Sequence, residues 1–239
     1  MSFLTAAWRN LAFANYEVDP KLLEKYVPYG TELDQWQGKY YVSLIGFLFE
    51  NVKLLGFSIP FHKNFEEVNL RFYVKRYEND TIRRGVVFVK EIVPKPALSW
   101  VANLVYNEKY ETLPMRYSWK NDHNSRLFTY QWKKKGKWQS ISVKTKSIAK
   151  PLEQHSFSEF ITEHYWGYSK INNDKTNEYQ VTHPRWSMLE VLDYTINVDF
   201  GLVYGSDFLF LNNRQPDSIM LAEGSAITIE SKRMLQKTS

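Results

Sequence analysis

The chain of 239 residues contains no cysteine, so disulfides, thiolate nucleophiles and cysteine-held metals or clusters are excluded. It has no apolar run long enough to span a bilayer. The start, MSFLTAAWRNLAFANYEVDP, also lacks the basic opening and long apolar stretch of a signal peptide. A soluble cytoplasmic protein with no membrane partner is expected. Gly201 and Gly205 stand too far apart for a dinucleotide fingerprint, and neither a phosphate-binding loop nor a Gly-x-Ser-x-Gly elbow occurs. His62, His123, His155, His164 and His183 include no pair four residues apart on one helix, so no metal and no cofactor is expected.

Aromatic residues, by contrast, are abundant. With 8 Trp, 16 Tyr and 15 Phe in a chain that is 44% apolar, there is material for a sizeable core, and residues 1–239 read as one β-rich domain. The net charge of +5 permits contact with anions. Its densest basic run, Lys133-Lys134-Lys135-Gly136-Lys137, lies between RLFTYQW and KWQSISVKTK, two stretches of strand composition. A hairpin loop with solvated lysines accounts for it better than a nucleic-acid surface does.

The strongest periodic signal is FEEVNLRFYVKR, residues 65–76. Val68, Leu70, Phe72 and Val74 share one parity while Glu67, Asn69, Arg71 and Tyr73 share the other, which puts an apolar row and a hydrogen-bonding row on opposite faces of a strand. Turn chemistry at Glu78-Asn79-Asp80-Thr81 followed by RRGVVFVKEIV makes residues 65–93 a hairpin. KYYVSLIGFLFENV reads as a strand buried on both faces. Asp19-Pro20 opens a short helix over residues 19–28, closed by Pro28 and placed as a lid on sheet. Residues 97–106 are compatible with a buried strand or with a second helix. A third is expected along SFSEFITEHYWGYS, capped by Ser156, with Phe157, Phe160, Ile161, His164, Tyr165 and Tyr168 at helical spacing. His164 on it is either a hydrogen-bonded core histidine or an acid/base group. The last third, through EVLDYTINVDFGLVYG and SDFLFLN to AITIESKRML, reads as short strands.

Several of these stretches together, WRNLAFANYEVDPKLLEKYVP, FEEVNLRFYV, GVVFVKEI, LPMRY, FITEHYWGY and THPRW, resemble the YqjF-like proteins, a domain-of-unknown-function family placed in the acetoacetate decarboxylase-like superfamily. The resemblance runs over almost the whole chain. It implies an α+β, mainly β fold: a closed, curved antiparallel β-barrel with short flanking helices and a small-molecule cavity. It further implies that Glu67 brings a carboxylate into that cavity and that Arg9 is a retained arginine. Where the decarboxylases carry Pro-Lys-Lys, whose first lysine forms the Schiff base, this sequence has Pro114-Met115-Arg116. A thioether forms no imine and an arginine is neither nucleophile nor neutral base, so a Schiff-base decarboxylase is not expected.

The candidate site that follows has Glu67 as catalytic group and Arg9, Asn69, Arg71, Arg116, Met115 and His164 as ligand contacts. Arginine forks suit a small organic acid or similar anion as partner. Three functions stay open: a metabolite-binding or sensing protein, a non-covalent lyase or isomerase using Glu67 as acid/base, and a structural or interaction role. A Glu67 pKa raised by burial would favour the second, whereas salt-bridging of Glu67 to Arg71 or Arg116 would make the charges merely structural. A homo-oligomer is left open.

Overall fold

The computed structural model describes residues 2–58, 62–96 and 108–237. The helix or strand read over residues 97–106 lies outside them. Among the described residues, fifteen strands join one sheet. In chain order they are β1 (Ser2–Val18), β2 (Glu32–Leu33), β3 (Tyr40–Leu54), β4 (Phe57–Ser58), β5 (Phe65–Glu78), β6 (Thr81–Val93), β7 (Tyr110–Thr112) and β8 (Met115–Asn121). They continue as β9 (Ser125–Lys134), β10 (Lys137–Lys150), β11 (Trp166–Lys170), β12 (Lys175–Thr182), β13 (Met188–Asn197), β14 (Ser218–Glu230) and β15 (Arg233–Gln236). No helix among the described residues is long and apolar enough to cross a membrane.

Hydrogen-bonded neighbours run β12-β11-β6-β5-β3-β1-β14, and β12 also pairs with β14 where Val181 faces Ile229 and Thr182 faces Thr228. The pairings therefore return on themselves as a ring. From β14 the sheet continues outward through β13, β10, β9 and β8. This arm folds back over the outer face of the ring. Gly46 on β3 marks the contact: a methyl there would sit 2.8 Å from the Tyr130 ring of β9, so only a residue without Cβ lets the two layers close.

The alternation in β5 has the consequence that its chemistry demands. Val68, Leu70, Phe72 and Val74 belong to an apolar layer that unites them with Tyr130, Trp132 and Val143 of the arm and with Phe200 and Phe208. Each fully buried side chain of this size contributes about 1.5–3 kcal/mol on leaving water. A second cluster, with Phe13, Ile45, Phe47, Tyr73, Phe160 and Trp186, lies on the other face of the same strands.

Among the described residues, three short helices accompany the sheet. Helix α1 (Pro20–Leu23) is capped by Asp19, whose carboxylate accepts from the Lys21 amide at 2.9 Å, and it continues as a 3-10 turn to Tyr26. Helix α2 spans Phe157–Thr162, with Ser156 accepting from the Glu159 amide as its cap. It is shorter than the aromatic spacing suggests. After Thr162 the chain becomes extended, the Tyr165 amide donates to the Arg84 carbonyl, and Trp166 pairs in parallel with Gly85, so strand pairing with β6 outcompetes continued helix. The strand reading over FGLVYG and SDFLFLN is likewise corrected. Asp199 accepts from the Leu202 amide and starts helix α3 (Phe200–Tyr204), and residues Ser206–Asn213 form 3-10 turns. A side-chain cap and the burial of Phe200 and Phe208 in the outer layer decide that segment.

Candidate functional site

Beside the inner apolar cluster lies a cavity of about 60 Å³, partly open to solvent. The polar row of β5 lines it: Glu67, Asn69 and Arg71 all contribute, joined by Glu91 of β6, Tyr110 of β7 and His164 just beyond α2. Pairing explains the convergence. Asn69 faces Glu91 across the β5–β6 ladder, and Glu91 pairs in turn with Tyr110 on β7.

Glu67 is the centre of the acidic wall. The Asn69 amide donates to its Oε1 at 2.9 Å and the Tyr110 hydroxyl to its Oε2 at 3.3 Å. Burial raises its pKa to about 7, against the opposing pull of those two hydrogen bonds and of the nearby Arg71 charge. Among the described residues no ion pair joins Glu67 to Arg71, so mutual neutralisation does not account for the pair. Glu91 is pushed well above the carboxylate range by burial and by the charges of Glu108 and Glu67. Its Oε2 meets no partner among the described residues. Burial also raises Glu108 to about 8, although the Tyr179 hydroxyl donates to it at 3.0 Å. In each of these carboxyls burial favours the protonated form, which donates as well as accepts.

Arg71 brings a guanidinium to the same cavity. Its guanidinium lies 5.6 Å from the Phe13 ring centroid and 5.5 Å from that of Tyr73, and Nη2 donates to the Ile161 carbonyl at 3.2 Å. Its Nε has no partner among the described residues. His164 Nε2 lies 3.3 Å from Asp34 Oδ2, and Arg84 Nε donates to the same oxygen at 2.8 Å. Burial lowers the His164 pKa to about 4, so the ring is neutral. Burial alone would raise Asp34, but the hydrogen bonds of His164 and Arg84 hold it at about 2. The rim carries an aromatic stack, His183 on Trp186 at 4.1 Å between ring centroids, with Trp8 beside it.

A model for the DUF2071 family of uncharacterized conserved proteins matches residues 5–226. The chain belongs to the DUF2071 family. This DUF2071 protein is 26% identical over 196 residues to the uncharacterized protein YqjF of Bacillus subtilis, a match covering 80% of this chain and 77% of that one. Among solved structures it resembles the enduracididine biosynthesis enzyme MppR complexed with pyruvate, with a TM-score of 0.67 and 12% identity, covering 100% of this chain and 93% of the other. It also resembles acetoacetate decarboxylase from Legionella pneumophila, with a TM-score of 0.62 and 11% identity, covering 97% and 86% of the two chains. At such identities the likeness is one of fold. The mainly β architecture is thus of the acetoacetate decarboxylase-like type.

Not all of the residues expected at the site of this DUF2071 protein are found there. Arg9 points away from the cavity, toward Glu50 at 3.7 Å and the Gly224 carbonyl at 3.5 Å, because Trp8 takes the inward position just before a bulge at Asn10. Met115 packs against the outer apolar layer. Arg116 is exposed on β8, at the far end of the arm, where its Nε donates to Gln131 at 2.8 Å and its guanidinium lies 4.3 Å from the Trp138 ring centroid. All three lie outside the cavity. Residues that sequence reasoning passed over are Glu91, Tyr110, Tyr179 and Asp34, the partner of His164. GVVFVKEI carried the signal for Glu91, obscured by a register shift in β6 where Arg71 faces Phe88 and Leu70 faces Lys90.

Tyr179 reaches Glu108 because Gly167 lies directly opposite it, where a methyl would fall 2.1 Å from the tyrosine ring. Among the described residues, no three His, Asp or Glu side chains are arranged to hold a metal ion, and no lysine lines the cavity.

Proposed function

We propose that this DUF2071 protein is an enzyme that binds a small organic acid in its ring cavity and moves a proton on it without forming an imine. In this reading the ring is the wall of a closed barrel, Arg71 anchors the ligand carboxylate, and Glu67 is the acid/base group, with Glu91 as a neutral donor beside it. One observation carries the proposal: Glu67, Asn69 and Arg71 stand on one strand face in one cavity, and the Arg71 Nε and Glu91 Oε2 beside them have no partner among the described residues. A buried polar group left unpaired costs about 1–3 kcal/mol, so a pair of them in one cavity is best explained by a ligand that completes them. The Glu67 pKa near 7 is the feature that separates acid/base work from simple binding. Pyruvate in the MppR structure shows the size of acid that a relative of this fold accommodates.

The test is a panel of three- to five-carbon hydroxy and oxo acids in thermal shift, paired with proton NMR of the same acids in deuterium oxide. A bound acid at a hundred times its dissociation constant adds about 2.7 kcal/mol of stability. Deuterium should enter next to the carbonyl of an accepted oxo acid with the native protein and not with Glu67→Gln. Binding without exchange would reassign the cavity to sensing. No binding by any acid would remove the proposal, and a borohydride-trapped lysine adduct would replace it with imine chemistry.

A further inference from the structure

Arg71 and His164 are set side by side by one short segment. The Arg71 guanidinium donates to the Ile161 carbonyl in α2, and His164 follows three residues later. The imidazole is fixed in plane by Tyr73, 4.8 Å between ring centroids, and by Phe160 at 5.2 Å edge-on. Its hydrogen-bonding character is set from behind. Asp34 is buried, its Oδ1 accepts from the Gln35 amide at 3.0 Å, and its Oδ2 accepts from Arg84 while facing His164 Nε2. A carboxylate so engaged only accepts, so the proton in the Asp34–His164 contact resides on Nε2. The lone pair is then left on Nδ1, which is buried and has no partner among the described residues.

We propose that His164 Nδ1 is a specificity-determining acceptor that selects an organic acid carrying a hydroxyl, a hydroxy acid or the enol of an oxo acid, and that Asp34 is the positioning residue that keeps Nδ1 bare. This rests on the reading of the cavity as an organic-acid site with Arg71 as anchor. With the carboxylate on Arg71, the substituent on the next carbon is directed toward the neighbouring imidazole. A hydroxyl there donates to Nδ1. A keto oxygen has only lone pairs to offer to a lone pair, and an unsubstituted carbon leaves Nδ1 unpaired as before. Burial keeps the ring neutral at physiological pH, which preserves the acceptor.

Calorimetric titration of the native protein with lactate, pyruvate and propionate tests the selection. Lactate should bind about tenfold tighter than either of the others, the worth of one well-made neutral hydrogen bond. In Asp34→Asn the amide can donate or accept, the ring is released to either tautomer, and the lactate preference should shrink to about threefold or less. In His164→Phe, which keeps an aromatic ring in place, lactate affinity should fall to that of propionate. Nitrogen-15 NMR of the free protein should show the Nε2–H tautomer, giving way to a mixture in Asp34→Asn, a signature that loss of packing would not produce. Equal affinities in the native protein, a preference that survives His164→Phe, or an Nδ1–H tautomer would each overturn the assignment. Failure of all three acids to bind would instead fall on the organic-acid reading, and this inference would fall with it.

Discussion

Along β5 the even-numbered residues Val68, Leu70, Phe72 and Val74 are sealed in an apolar layer against β9, β10 and α3, whereas the odd-numbered Glu67, Asn69 and Arg71 stand in a cavity with unpartnered polar atoms. Backbone and ladder are common to both faces. The difference teaches where stability and chemistry are divided: the β5 residues on the outer face are all apolar, while those on the inner face are polar or titratable groups whose charged forms are unfavourable when buried and which, in the proposed function, a ligand completes.

The comparison breaks most visibly on the dry side. Leu70→Ala removes a side chain with no exposed surface and should lower unfolding free energy by about 2–5 kcal/mol in urea titration while leaving acid binding alone. A cost under about 1 kcal/mol would mean that the arm does not pack on the ring.

The wet side is sharpened by pH. Glu67 has an ordinary pKa of 4.5 and is raised by burial to about 7, so the folded state holds a proton there that the unfolded state releases. Stability from this group is full below pH 4.5 and is lost as pH rises through about 7, a swing on the order of 3–4 kcal/mol at about 1.4 kcal/mol per unit. Glu67→Gln cannot lose that proton. Its melting temperature should gain on the native protein progressively from pH 5 to 8. Parallel curves would show that Glu67 is ionised throughout and is no acid/base group.

The smallest effect is expected at Arg116. Exposed on β8, it should tolerate Arg116→Lys within about 0.5 kcal/mol in melting experiments, with no change in acid affinity. Any loss of affinity would bring β8 back into the site.

The alternation of residues 65–76 was legible because a strand with one dry and one polar face writes period two directly into its letters. For the same reason the 65–93 hairpin, the long β3 strand and the Lys-rich turn between β9 and β10 stand where composition puts them. Glu67, Asn69, Arg71 and His164 line one cavity. Arg9, Met115 and Arg116 do not, because their placement rested on correspondence with the decarboxylases rather than on any pattern that fixes a facing direction. Asp34 was invisible for another reason. It lies in a loop whose amide donates to the Tyr73 carbonyl, a contact across 39 residues that no local period encodes. The helix through His164 was overestimated because β-pairing with a distant strand is likewise absent from local spacing.

The irregularity in β6 has a reach beyond its own geometry. Val86 and Phe88 face inward, and strict alternation from them would present Lys90 to the cavity and turn Glu91 toward the apolar layer. With Val89 taken up as an extra residue, Lys90 instead reaches the Val203 carbonyl at 2.6 Å outside the ring, and Glu91 enters the cavity. The strand thus has two reading frames, one placing an amine at this wall and the other an acid. Which chemistry the wall offers is decided by a single step of backbone phase, with the same letters available to both.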